Sequence, residues 1–147
     1  PRKDIYPQGF GPLARDLEAQ GTRLGLWMPL SGFNLDVAWG TRKGYEKSSV
    51  GNWYCLGGRR FYSAMRDAAA RLIREGNLNY YKHDFNFLSC QAEGHDHLPT
   101  SQHGHETNVD RTLELLKYER EIQPGIFLNV TSGMWFSPWW LMYADSI

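Results

Sequence analysis

Cysteine is scarce in this sequence: Cys55 and Cys90 are its two cysteines among 147 residues. Two are too few for a disulfide framework, and neither lies in a CxxC pair. They read as free buried thiols, with a single bridge as the alternative. Net charge is missing as well, because sixteen basic residues balance sixteen acidic ones. No basic excess is available to attract nucleic acid or an anionic membrane non-specifically, so neither partner is expected. Long apolar runs are also absent. None approaches the roughly 20 residues that cross a bilayer, and the opening PRKDIYPQGF has no apolar signal core. The compartment stays open, a secreted or periplasmic full-length protein included.

What the chain does have is aromatic side chains: six Trp, eight Tyr and seven Phe. Trp and Tyr combine an apolar face with a polar edge, which suits a packed core and also suits flat, hydroxyl-bearing ligands. An apolar fraction of 41% excludes a disordered chain, and the length fits one domain with one core. The chain begins with Pro and stops at Ile147, just behind WFSPWWLMYA, and these ends read as cuts through a longer protein.

The order of elements is legible from periodicity. GPLARDLEAQG (11–21) reads as a short helix closed by Gly, and TRLGLWMPL (22–30) as a buried strand ended by Pro29. The stretch 31–52 has no sustained period and reads as a long loop, followed by WYCLGG as a very short strand. In RRFYSAMRDAAARLIRE (59–75), Phe61, Met65, Ala68, Leu72 and Ile73 form the stripe of an amphipathic helix, stopped by Gly76 and Asn77. LNYYKHDFNF is the next strand. A His-rich and Gly-rich loop (92–105) leads to a helix over ETNVDRTLELLKYEREI, then a strand IFLNVTSG and a further strand over WLMYAD.

Strands alternate with helices, and polar or aromatic residues collect at the strand ends. That is the pattern of a parallel sheet with helical crossovers. Long loops follow strands rather than helices, which favours a partial (β/α)8 barrel over a doubly wound sheet. A whole barrel takes about 250 residues, so this is about half of one. Its sheet edges would need covering by the remainder of the barrel or by another chain.

Two carboxylates stand at strand ends. Alternation along NYYKHDFNF puts Tyr80, Lys82, Asp84 and Asn86 on one face and Tyr81, His83, Phe85 and Phe87 on the other. Asp84 then shares the face of a barrel mouth with Lys82, and a plain Lys–Asp ion pair is the bland alternative. Asp145 follows three tryptophans, Trp135, Trp139 and Trp140, which suit helix packing or a sugar platform. In that setting Asp145 equally fits a helix N-cap. Asn129, Thr131 and Ser132 add hydrogen-bonding groups at another strand end. Paired carboxylates are what glycosidic bond hydrolysis requires: one ionised to attack the anomeric carbon or activate water, one protonated for the departing oxygen.

The succession LGLWMPL, YYKHDFN, NVTSG and MYADS resembles the catalytic barrel of glycoside hydrolase family 36, the retaining alpha-galactosidases and their relatives. The resemblance runs from about Gly25 onward. It implies that residues 1–147 are a fragment of a single (β/α)8 catalytic domain whose substrate is a carbohydrate and which needs no cofactor or metal. It also implies Asp84 as nucleophile, Asp145 as general acid/base and Lys82 as a sugar contact. Trp27 would form a pocket wall, and Asn86, Asn129, Ser132 and, from the first long loop, Asp36 would be candidate substrate contacts.

Two rival readings accompany it. GHDHLPTSQHGHE carries His95, His97, His103 and His105, with Asp96 and Glu106 beside them. Such a cluster suits a metal-dependent (β/α)8 hydrolase, although catalytic metals are held more often by several rigid strands than by one loop. The other rival is a non-catalytic fragment that binds carbohydrate or serves as a scaffold, using the same tryptophans and polar strand ends.

Overall fold

The computed structural model describes residues 1–32, 36–84, 86–131 and 137–147. Three parallel strands, β1 (Gly25–Trp27), β2 (Tyr80–His83) and β3 (Phe127–Val130), form a sheet in the order β1-β2-β3. Strands that follow one another in sequence are neighbours in space, as in a singly wound barrel. The register sets Gly25 beside Tyr80 and Tyr80 beside Phe127, then Trp27 beside Lys82 and Lys82 beside Asn129. At Ser146 the chain returns to β3 through an isolated parallel bridge to Asn129. The fold is thus an open α/β segment of a barrel.

The helices are α1 (Gly11–Ala19), α2 (Val37–Arg42), α3 (Arg59–Gly76) and α4 (Ser101–Ile122). In α3, the residues Phe61, Met65, Ala69 and Ile73 recur every four positions and are buried, while Ala68 and Leu72 are only half-buried. Its first turn has no side-chain cap of its own. Instead the Glu46 carboxylate accepts the N–H groups of Arg60 and Phe61, at 3.1 and 2.9 Å. Asn77 ends the helix in the left-handed region at φ 41°.

One face of the sheet packs on α3 and α4. Tyr81, His83, Leu128 and Val130 point that way and are fully buried, joining Leu115, Leu116 and Ile73 in the core. The other face carries Gly25, Trp27, Tyr80, Lys82, Phe127 and Asn129 and is open: Trp27 is 46%, Tyr80 37% and Phe127 43% exposed. The rings of Tyr80 and Phe127 stack across the strands, 5.8 Å between centroids. In a closed barrel this face is the interior, filled by layers of side chains from several strands.

Three expected elements differ. WYCLGG is no strand among the described residues: Tyr54 makes one isolated antiparallel bridge to Lys47, and its N–H goes to Ser31 O at 2.8 Å. The long loop contains α2, because Asp36 caps it by accepting the Trp39 N–H at 2.9 Å. WLMYAD is not a strand: its first three residues end a 3-10 helix, Pro138–Met142, started by Pro at its first position and the Ser137 hydroxyl. Helix α4 also begins earlier than its apolar periodicity, at Ser101, where the Thr100 side chain caps the first turn. Gly104 inside that turn is required by space: a Cβ there would lie 1.9 Å from Cys90 O.

Candidate functional site

Connections into the strands are short and those out of them are long. Residues 77–79 enter β2 and residues 123–126 enter β3, whereas residues 28–58 and 84–100 follow β1 and β2. Long loops therefore gather at the C-terminal end of the sheet, the end at which barrels place their chemistry.

Asp84 lies there, one residue past β2 and on the open face. Its Oδ2 accepts a hydrogen bond from Trp27 Nε1 at 3.4 Å and stands 3.8 Å from Lys82 Nζ. The Asp84 side chain is 15% exposed and that of Lys82 35%, so this ion pair is neither sealed in the core nor fully in water. The alternation expected for Tyr80, Lys82 and Asp84 is what brings lysine and aspartate together. The adjacent strand supplies the indole because Trp27 is in register with Lys82.

Asp145 lies on the other side. Its N–H donates to Leu128 O at 2.8 Å, its Oδ2 accepts the Leu128 N–H at 2.7 Å, and the Arg120 guanidinium at the end of α4 is 2.6 Å away. Because Ser146 pairs with Asn129 on the open face, Asp145 sits level with the helix-facing Leu128. Arg120 also donates to the carbonyls of Ile126 and Tyr143, so the ion pair knits the end of α4 to the entry of β3. The structure does not bring Asp145 to Asp84. In this placement Asp145 holds the chain around it against β3 and α4 through the Leu128 N–H and Arg120.

The remaining candidates divide similarly. Asn86 is fully buried, with its Oδ1 accepting Leu30 N–H at 3.2 Å and its Nδ2 donating to His83 O and Thr131 O. It ties together the ends of all three strands and has no exposed surface for a sugar. Asp36 is committed to capping α2. Asn129 faces the open side but donates to Ser146 Oγ at 2.7 Å. Ser132 and Trp135 lie outside the described residues. Trp140 is buried and Trp139 is 69% exposed beside an apolar recess of about 180 Å³ shared with Leu88, His105, Val109 and Leu113.

No family model and no curated protein matches this sequence. Solved structures do. The family 36 alpha-galactosidase AgaB from Geobacillus stearothermophilus superposes with a TM-score of 0.71 over 99% of this chain at 15% identity. The fold is similar to part of a family 36 alpha-galactosidase. AgaA from the same organism gives 0.69 over 95% at 15% identity, and the alpha-galactosidase from Lactobacillus brevis 0.61 over 88% at 14%. The chain spans 22%, 21% and 19% of those three proteins, about a fifth of their length. Variants of AgaA have been solved with 1-deoxygalactonojirimycin, raffinose and stachyose bound.

Behind β2 lies a buried pair that sequence reasoning passed over. His83 Nε2 is 2.9 Å from Glu119 Oε2 and its Nδ1 is 3.1 Å from Met28 O, with both side chains fully buried. Burial pulls the imidazole downward, yet the Glu119 charge and hydrogen bond and the Met28 carbonyl together hold it above its ordinary value. The sequence signal was weak, because the partners lie 36 positions apart on different elements.

The four loop histidines do not form one group. His103 and His105 ride on α4, and His103 Nδ1 is engaged with Thr100 Oγ1 at 2.7 Å. His95 and His97 instead meet the two cysteines. The ligand atoms of Cys55, Cys90, His95 and His97 all lie within 4.8 Å of one another. Both thiols are free and buried, as the residue count suggested. A hydrogen bond between them lowers Cys90 to about 4 and raises Cys55. No single-loop histidine cluster for a metal-dependent hydrolase is present among the described residues.

Proposed function

We propose that this chain is part of the catalytic domain of a retaining glycoside hydrolase that acts on alpha-galactosides or related alpha-glycosides, with Asp84 as its nucleophile. The observation that carries this reading is the position of Asp84. It stands at the C-terminal end of the middle strand, on the open face, between a lysine and an indole N–H, in a fold similar to family 36 alpha-galactosidases.

The chemistry follows from those neighbours. The Lys82 ammonium favours the ionised carboxylate, the form able to attack. Attack of Asp84 on the anomeric carbon breaks the bond to the glycosidic oxygen, which takes a proton from a general acid. Water then cleaves the glycosyl ester, with the same acid group acting as base. Lys82 and Trp27 orient the carboxylate and border the sugar. Asp145, bonded to Arg120 and the Leu128 N–H on the helix side, is not the acid in this arrangement. A carboxylate outside this constellation takes that role. The open face with Trp27, Tyr80 and Phe127 is covered by the remaining barrel strands in the complete enzyme.

The test uses the full-length protein. A 2-fluoro-alpha-galactosyl substrate that traps the ester should label the peptide containing Asp84, and Asp84→Asn should retain the fold while turnover drops at least about a thousandfold. A label on another carboxylate, or near-normal turnover in that variant, removes Asp84 from the role.

A further inference from the structure

We propose that Cys55, Cys90, His95 and His97 hold a structural zinc ion that clamps the loop following β1 to the loop following β2. This proposal does not rest on the glycosidase reading. Four potential ligands come from two loops, Cys55 from the first and the other three from the second, and converge on one point. With Zn–S near 2.3 Å and Zn–N near 2.0–2.1 Å, a tetrahedral site has ligand-to-ligand edges of roughly 3.3–3.8 Å. Cys55 Sγ lies 3.4 Å from His97 Nε2, and Cys90 Sγ 3.4 Å from His95 Nδ1. Isolated thiol–imidazole hydrogen bonds would account for either contact, but not for all four groups facing each other.

The surroundings are arranged as for thiolate and neutral imidazole ligands. His97 Nδ1 is 2.8 Å from Leu98 O; a carbonyl only accepts, so the proton sits on Nδ1 and the Nε2 lone pair points into the cluster. The Asn108 amide donates to Cys55 Sγ at 3.3 Å. Backbone N–H groups of Gly57 and Ala92, each two residues past a cysteine, also donate to the sulfurs. Asp96, between the two histidines, is held by Arg59 at 2.8 Å and Arg111 at 3.7 Å, while its N–H reaches Gly57 O. A Cβ at Gly57 would come within 2.8 Å of the His97 ring.

Two thiolates cancel the charge of a divalent ion, so the occupied site is neutral and tolerates burial. Two sulfur and two nitrogen donors in a tetrahedron select zinc over hard, oxygen-seeking cations. Four protein ligands leave no open position, so the ion serves structure and not catalysis. Cys90 lies six residues after Asp84, and fixing it restrains the segment that leaves the candidate nucleophile.

Metal analysis of the purified protein should find about one zinc per chain, falling to under about a tenth in Cys90→Ser and His97→Ala and unchanged in His103→Ala and His105→Ala. If the first two variants do not fold, chelator-stripped wild-type protein titrated with Co(II) decides. Tetrahedral visible bands with a thiolate charge-transfer band in the near ultraviolet support the site. Wild-type protein from zinc-supplemented medium without stoichiometric metal overturns it. So do a Co(II) spectrum lacking the thiolate band, a Cys55–Cys90 disulfide in the metal-free product, and equal metal loss in His103→Ala.

Discussion

Asp84 and Asp145 are both aspartates at the margins of one parallel sheet, and the two faces of that sheet make them different residues. Asp84 emerges on the open face beside Lys82 and Trp27, partly accessible at the end where the loops are long. Asp145 meets a backbone N–H and an arginine on the face packed by helices. A carboxylate satisfied by a strand's backbone and a fixed guanidinium stabilises a fold. One that shares an open sheet face with a lysine and an indole carries the chemistry we propose for it. Position relative to the sheet, more than residue type, separates the two.

The largest expected contrast is in turnover. Asp84→Asn should cost at least about a thousandfold in kcat with a small change in melting temperature, whereas Asp145→Asn should retain most activity per folded molecule. Equal kinetic losses would erase the distinction between the faces. On the helix side, the buried partner of β2 should matter most for stability. Glu119→Ala leaves His83 Nε2 buried without its carboxylate partner and should cost about 3–5 kcal/mol in urea unfolding; a loss under about 1 kcal/mol would show that the pair is dispensable.

The same pair predicts a pH dependence. His83 is raised in the folded state, so the folded protein binds more protons than the unfolded one between the two values. Its contribution to stability is complete below about pH 6.5 and is lost as pH rises through the folded value. Unfolding free energies measured across that range should fall for the wild type, with the slope flattened in Glu119→Gln. An unchanged slope in the variant would assign the dependence to other groups.

Smaller effects complete the comparison. Asp145→Ala should lower stability by about 1–3 kcal/mol, because the Leu128 N–H loses its acceptor, and Arg120→Ala in the same background should cost about 1 kcal/mol more, because the Ile126 and Tyr143 carbonyls lose their donor. Asp36→Ala, which removes the cap of α2, should cost about 1 kcal/mol by thermal unfolding and leave sugar binding intact. Selective loss of binding would return Asp36 to the site.

Local pattern alone determined a good deal. The apolar stripe of Phe61, Met65, Ala68, Leu72 and Ile73 specified α3, and the alternation through Tyr80, Tyr81, Lys82 and His83 specified which side of β2 faces helices. Alternation also put Lys82 and Asp84 together, because side-chain direction in a strand is a local property of the backbone. Tertiary structure decided what depends on partners distant in sequence. Asp145 belongs to the helix side because Ser146 pairs with Asn129. Asn86 is a tie between strand ends because Leu30 and Thr131 come to it. Cys55 meets Cys90, His95 and His97 only once both loops fold over the end of the sheet. Spacing along a chain cannot report such a meeting, since loop closure sets it and no periodicity encodes it.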